Sequence, residues 1–214
     1  MAGQGAAAMR VGGALAAAAL VLLLTACGGG SAPPPDSFYR LSADDPGRRY
    51  GRPLLPGTVE VGRFSADGVT GERALVYSNG GQRVRRYSYH HWIDSPPRLI
   101  QESLVEALRR VEAAEAVVTP ELRLRSDWRV EGQLKRLEHR LTGDGGAEVV
   151  LAIEVSVVDA RDGGLVMIDG FRSRRQVAST EVEPAVEAFN VALTDVVAEF
   201  LDRLAEATAE RARD

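Results

Sequence analysis

The sequence predicts an α+β fold: an antiparallel sheet with two helices packed on one face, a two-layer sandwich. Three observations predict it. Two stretches, one around Ile100 and one from Val182, repeat apolar residues at the spacing of one helix face. Three long runs between Asp127 and Val177 alternate apolar and polar residues and are separated by Asp-Gly-Gly turns. Two amphipathic helices need a shared apolar surface, and an antiparallel sheet offers one such face.

The elements follow in chain order. Phe38 to Leu41 reads as a short strand, ended by the turn Asp44-Asp45-Pro46-Gly47. Pro53 to Gly57 is a second break. Val59, Val61 and Phe64 mark a strand whose alternation slips by one, the sign of a bulge. Ala74 to Tyr77 is a further strand, and Asn79-Gly80-Gly81 turns the chain because Asn and Gly tolerate positive φ. Gln82 to Trp92 returns as a strand. Regular alternation there puts Tyr87 and Tyr89 on one face and Val84, Ser88 and Trp92 on the other.

Ser95 is placed to cap the next helix, with Pro96 suited to its first turn. Ile100, Leu104, Ala107, Leu108 and Val111 form its apolar stripe. Val117 and Val118 make a short strand before Pro120. The strand from Asp127 to Leu141 carries Trp128, Val130 and Leu134 on one face. Val149, Leu151, Ile153, Val155 and Val157 line one face of the next, and Leu165 to Val177 is the third. The closing helix, from Val182 to about Ala212, buries Val182, Val186, Phe189, Leu193, Val196, Val197, Phe200 and Leu204. Glu181, Glu183 and Glu187 at its start and Arg211 and Arg213 at its end oppose the charges of the helix dipole.

The amino terminus has a different composition. Arg10 precedes an uncharged run from Val11 to Ala26 that falls short of the roughly 20 apolar residues a membrane span needs. A positive start, an apolar middle and small residues at the end are the layout of a secretory signal. Leu24-Thr25-Ala26-Cys27 resembles the lipobox of bacterial lipoproteins. That resemblance implies cleavage after Ala26, an S-diacylglyceryl group on Cys27 and acylation of its new amino group. Cys27 is the sole cysteine, so the chain has neither a disulfide framework nor a thiolate metal site. Multiple acyl chains hold a protein to a bilayer almost permanently, each buried CH₂ contributing about 0.8 kcal/mol. The expected organisation is a signal peptide over 1–26, a lipidated cysteine with a Gly and Pro linker over 27–36, and one domain over 37–214.

Composition excludes several function classes. The net charge is −4, so no broad basic field invites nucleic acid. Lys135 is the only lysine, and the Arg, Ala, Gly and Val bias fits a GC-rich genome better than phosphate recognition. His90 and His91 point to opposite faces of a regular strand, and His139 is remote, so no metal site or cofactor is expected. No nucleophile elbow or phosphate loop is present, and an enzyme is not expected.

Tyr87-Ser-Tyr-His-His-Trp-Ile-Asp-Ser-Pro-Pro-Arg-Leu-Ile100 supplies a family resemblance. Together with Tyr39 and Leu41, Leu75 to Tyr77, Tyr89, Trp92 and Pro97, and Ala188, Phe189 and Asn190 late in the chain, it resembles the ABC-type transport auxiliary lipoprotein component family. The resemblance covers the mature chain. It implies a periplasm-facing, non-catalytic partner of an MCE-domain (mammalian cell entry) protein and its ABC permease and ATPase, with phospholipid or another apolar cargo. It also implies the outer membrane by default, since Gly28 rather than Asp follows the lipidated cysteine. A homo-oligomer stays open. The candidate partner surface is Arg85, Tyr87, Tyr89 and Trp92, because Arg and large aromatics are enriched at interface hot spots. The competing readings are a charge-protected edge strand and a core role for Trp92 and one tyrosine. The functional alternative is a structural lipoprotein in envelope assembly or in activating a cell-wall enzyme.

Overall fold

In the computed structural model the sheet is organised by its longest strand. The structure describes residues 32–143 and 145–213. The signal peptide, Cys27, the linker through Ser31, and Asp144 of the first Asp-Gly-Gly turn lie outside the described residues. The long strand, β7 (Trp128–Leu141), turns Val130, Leu134 and Leu137 into the core. One edge of β7 pairs antiparallel with β8 (Ala147–Asp159) along its whole length, from Trp128↔Asp159 to Leu141↔Ala147. Strand β8 pairs antiparallel in turn with β9 (Leu165–Val177). The apolar face of β8, from Val149 to Val157, is buried.

The other edge of β7 is shared by three short strands, all parallel to it. They are β2 (Thr58–Val61), β3 (Ser65–Ala66) and β4 (Ala74–Ser78), which meet β7 at Val59↔Trp128, Ser65↔Gln133 and Tyr77↔His139. Strand β5 (Val84–Trp92) returns antiparallel on β4, and β1 (Ser37–Tyr39) adds parallel to β5. Strand β6 (Ala116–Val118) lies parallel to β2. The sheet is therefore mixed and curled, not the uniform antiparallel layer that the sequence predicts. Only β4–β5 and β7–β9 are joined by tight turns, which force antiparallel pairing. The other strands pair across long connections, which permit parallel neighbours.

The slip at Phe64 has a geometric counterpart. Val61 to Ser65 advances four residues while its partners on β7, Val130 to Gln133, advance three. Phe64 then lies against Gly132, where a Cβ would sit 2.1 Å from the Phe64 ring. Gly57 is fixed twice over, by a φ of +98° and by the Asp127 carboxylate, 2.3 Å from where a Cβ would stand.

Helix α1 (Pro96–Arg110) starts with both prolines in its first turn, where no backbone donor is missed. Ser95 stands at its N-cap position without a side-chain cap bond; its carbonyl accepts from the Arg98 and Leu99 amides instead. Helix α2 (Val182–Arg211) buries all eight residues of the predicted stripe and packs over β8 and β9. Both helices share one apolar core with the sheet. Trp128 departs from expectation: Val130 and Leu134 are buried, whereas Trp128 is only half-buried at the rim. Its indole N–H donates to the Pro56 carbonyl at 2.8 Å.

Phe200 is fully buried and meets Phe171 of β9 edge to face, ring centroids 5.8 Å apart. Burial of one such ring contributes about 1.5–3 kcal/mol, and truncation adds the cost of a cavity. Phe200→Ala is expected to destabilise the fold by about 3–5 kcal/mol, read from denaturant unfolding curves. An unmoved midpoint would show that α2 is not the lid of this core.

Candidate functional site

The candidate surface on β5 takes its shape from a large bulge. Ala74 pairs with His91 and Val76 with Arg86, so two steps on β4 face five on β5. The bulge breaks the alternation that put Tyr87 and Tyr89 on one face. Tyr87 turns in against Tyr77, ring centroids 4.5 Å apart, while Tyr89 is 37% exposed. Trp92 is 1% exposed and meets Phe189 of α2 edge to face, so it belongs to the core and not to a docking surface. Arg85 is exposed, and with Tyr87 it lines a shallow depression of about 720 Å³ that also includes Tyr77, Val84 and Arg86. The structure thus brings together Arg85 and Tyr87, leaves Tyr89 at the surface nearby in sequence, and withdraws Trp92.

Behind this surface runs a chain of aromatic and polar groups. The Tyr87 hydroxyl lies 3.0 Å from His139 Nδ1. Tyr87 also meets His90 edge to face, and His90 stacks on Tyr39, whose hydroxyl lies 2.8 Å from His90 Nδ1. The Tyr39 hydroxyl donates to Glu183 in the first turn of α2 at 2.7 Å. His139 is fully buried, and its Nε2 has no hydrogen-bond partner among the described residues. Burial pushes His139 down to about 4. Burial, with Tyr77 nearby, pushes Tyr87 up to about 12. Both groups are therefore neutral at physiological pH. His91 takes no part in this chain of contacts: it meets Phe38 and Asp36 and borders the depression that Arg85 and Tyr87 line. Among the described residues no cluster of three or more metal-ligating side chains forms.

The segment after β1 is tied to α2, in part through Asn190 of the family motif. Alongside the Tyr39–Glu183 bond, the Ser42 amide donates to Asn190 at 3.1 Å and the Asp44 amide to Thr194 at 2.9 Å. Arg48 then grips Asp202 through two bonds of 2.6 Å. Leu41, Leu75 and Pro97 are buried. A charged strip escaped the sequence reading because strand register creates it. Arg136 and Arg172 both pair across from Ala152, with Arg174 and Arg140 in adjoining rows. Glu138 and Glu148 neutralise Arg136 and Arg140. Arg172 and Arg174 make no salt bridge among the described residues; burial, with the neighbouring arginines, lowers the pKa of Arg172 against the opposing pull of Glu148.

The depressed pKa of His139 has a consequence for stability. In the unfolded chain this histidine takes up a proton as pH falls below about 6.5, whereas in the folded chain it stays neutral until about 4. Its contribution is complete above the unfolded value and is lost as pH falls through that window, at up to about 1.4 kcal/mol per pH unit. Between those two pH values the melting temperature of the wild type is expected to fall more steeply than that of His139→Gln. Parallel curves would remove His139 as the source.

Comparison with known proteins agrees with this architecture. A crystal structure from Xanthomonas campestris, of the family DUF330, superposes with a TM-score of 0.74 at 17% identity, covering 83% of this chain and 99% of that one. An uncharacterized protein superposes with a TM-score of 0.62 at 14% identity, covering 80% of this chain and 99% of that one. At such identities the likeness concerns the fold alone. A search of curated proteins finds no match. The family model described as ABC-type transport auxiliary lipoprotein component matches residues 39–200, from Tyr39 in β1 to Phe200 in α2. With the match covering α1, every strand from β2 to β9 and much of α2, the chain belongs to the ABC-type transport auxiliary lipoprotein component family.

Proposed function

We propose that this protein is a non-catalytic accessory of an MCE-type ABC lipid-transport system. It is held in the outer membrane by acyl groups on Cys27 and faces the periplasm. The family match over residues 39–200 carries this reading, because the family is that of a transport auxiliary lipoprotein component. In the proposed organisation residues 1–26 are removed as a signal peptide, 27–36 tether the chain, and 37–214 act as one auxiliary domain. The cargo class is phospholipid or another apolar molecule. Among the described residues no helix is long and apolar enough to cross a membrane, so the proposed anchor is the lipidated cysteine.

The tether limits where the partner meets the domain. Gly28 to Asp36 is nine residues, and a fully extended chain spans at most about 3.3–3.6 Å per residue. The domain then stays within roughly 30 Å of its anchor. A transport assembly rooted in the inner membrane must reach it there. The proposed docking surface is Arg85 and Tyr89 with the exposed edge of Tyr87. Trp92 supports that surface from the core side and does not touch the partner.

Two outcomes test the proposal. Cys27→Ser is expected to accumulate as an unprocessed, unlipidated precursor, read by intact mass; normal maturation with unchanged membrane retention would sink the anchor assignment. The tagged wild type is expected to co-purify with MCE and permease proteins from solubilised envelopes, and the double substitution Arg85→Glu, Tyr89→Ala to reduce recovery severalfold. If those proteins are present and never co-purify, the envelope-assembly reading takes precedence.

A further inference from the structure

Where α2 ends, the chain leaves an open groove of about 410 Å³, within the size range of small-molecule sites. Its walls are Leu54 and Pro56 of the segment before β2, Val166 at the start of β9, Ala205 and Ala209 along α2, and Ala212 just past its end. The alanines leave room that larger side chains on this face would fill. Trp128 lines the groove and is held by two arginines. The Arg161 and Arg211 guanidiniums lie 5.5 and 5.8 Å from its ring centre. Both arginines also reach the buried Asp159 carboxylate, at 2.7 and 3.3 Å. An apolar wall built on a fixed indole is pre-organised for an occupant.

The charge of the lining is one-sided. Its charged members are Arg52 and Arg211, and no carboxylate lines the groove. Arg211 is shared with Asp159, whereas Arg52 is exposed and has no hydrogen-bond or ion-pair partner among the described residues. An apolar trough with an unpaired guanidinium at its rim is complementary to a molecule with an apolar tail and an anionic head.

We infer that this groove binds a single-chain amphipathic anion. The hydrocarbon tail lies against Trp128 and the alanine face of α2, and the carboxylate or phosphate head sits at Arg52. The inference rests on the chemistry of the groove and not on the transport reading, which concerns the β5 surface.

The experiment uses the full chain carried in phosphatidylcholine nanodiscs. Three photoreactive probes are compared: dodecanoate, dodecyl phosphate and uncharged dodecanol, each with its diazirine near the tail end. Adducts are located by peptide mapping. The acids are expected to label the peptides Tyr50–Arg63 and Leu204–Arg211, and the stronger of the two identifies the head group. Ala209→Phe, which fills the trough, is expected to cut this labelling at least tenfold. Arg52→Glu is expected to cut labelling by the acids severalfold while sparing dodecanol. Both residues are exposed, so neither substitution disturbs the core. Labelling elsewhere on the chain, labelling unaffected by Ala209→Phe, or an equal effect of Arg52→Glu on acid and alcohol overturns the inference. Co-purification with the transport proteins reads a separate surface, so failure of either experiment is distinguishable from failure of the other.

Discussion

Strand β7 has two edges, and the rest of the sheet is arranged by what each edge can accept. One edge is taken entirely by β8. The other must bond fourteen residues' worth of strand with whatever the amino-terminal half supplies, and that half supplies only short pieces. Strands β2, β3 and β4 are laid end to end along it in one direction. On that side the other strands join through these pieces, β6 through β2 and β1 through β5 and β4, while β9 joins through β8. A continuous strand there would need no break at Gly62, no turn at Gly68–Gly71 and no bulge in β5. The chain has all three, so the sheet curls and its far end is free to carry the aromatic and histidine groups behind Tyr87.

What was legible in the sequence follows from the range of the interactions. The β7–β9 meander could be read because Asp-Gly-Gly turns join neighbours directly, and a tight turn leaves antiparallel pairing as the only outcome. Both helices could be read from their own periodicity, and the stripe from Val182 to Leu204 is the buried face of α2. The parallel pairs could not, because Val59↔Trp128 and Ser37↔His90 join residues that no local signal connects. The bulge in β5 likewise has no sequence mark, since Arg86 to His91 alternates as a plain strand would. Plain alternation would set Tyr87 and Tyr89 on one face, and the bulge prevents it. The Tyr87–His139 contact has no local mark for the same reason: the two residues are 52 positions apart.

The family motif turns out to be rich in residues that secure the fold. Tyr39 bonds Glu183, Asn190 accepts from Ser42, and Trp92 meets Phe189, so four motif positions help bind β1, the segment after it and β5 to α2. A resemblance carried by such residues reports architecture reliably. It says less about the docking surface, because function sits on positions that the fold leaves free. That separation is why the motif can name the family although, of the four candidate residues, Arg85 and Tyr89 are exposed, Tyr87 is half-buried and Trp92 is core.

The arginine bias carries more information in three dimensions than as composition. A planar guanidinium can bond two acceptors at once and lie on a ring, which a lysine ammonium does not reproduce. Arg48 uses both bonds on Asp202, Arg109 donates twice to the Val117 carbonyl, and Arg161 combines a bidentate grip on Asp159 with a place over Trp128. Such arginines are structural ties, and replacing them with lysine would cost geometry rather than charge. Against that background an arginine beside an apolar surface with no tie of its own is informative. An exposed loop arginine is satisfied by water, but Arg52 stands at the rim of a trough whose walls repel water and whose lining holds no acid. Its charge is best satisfied by an anion that brings its own apolar body to cover Trp128 and the alanines of α2.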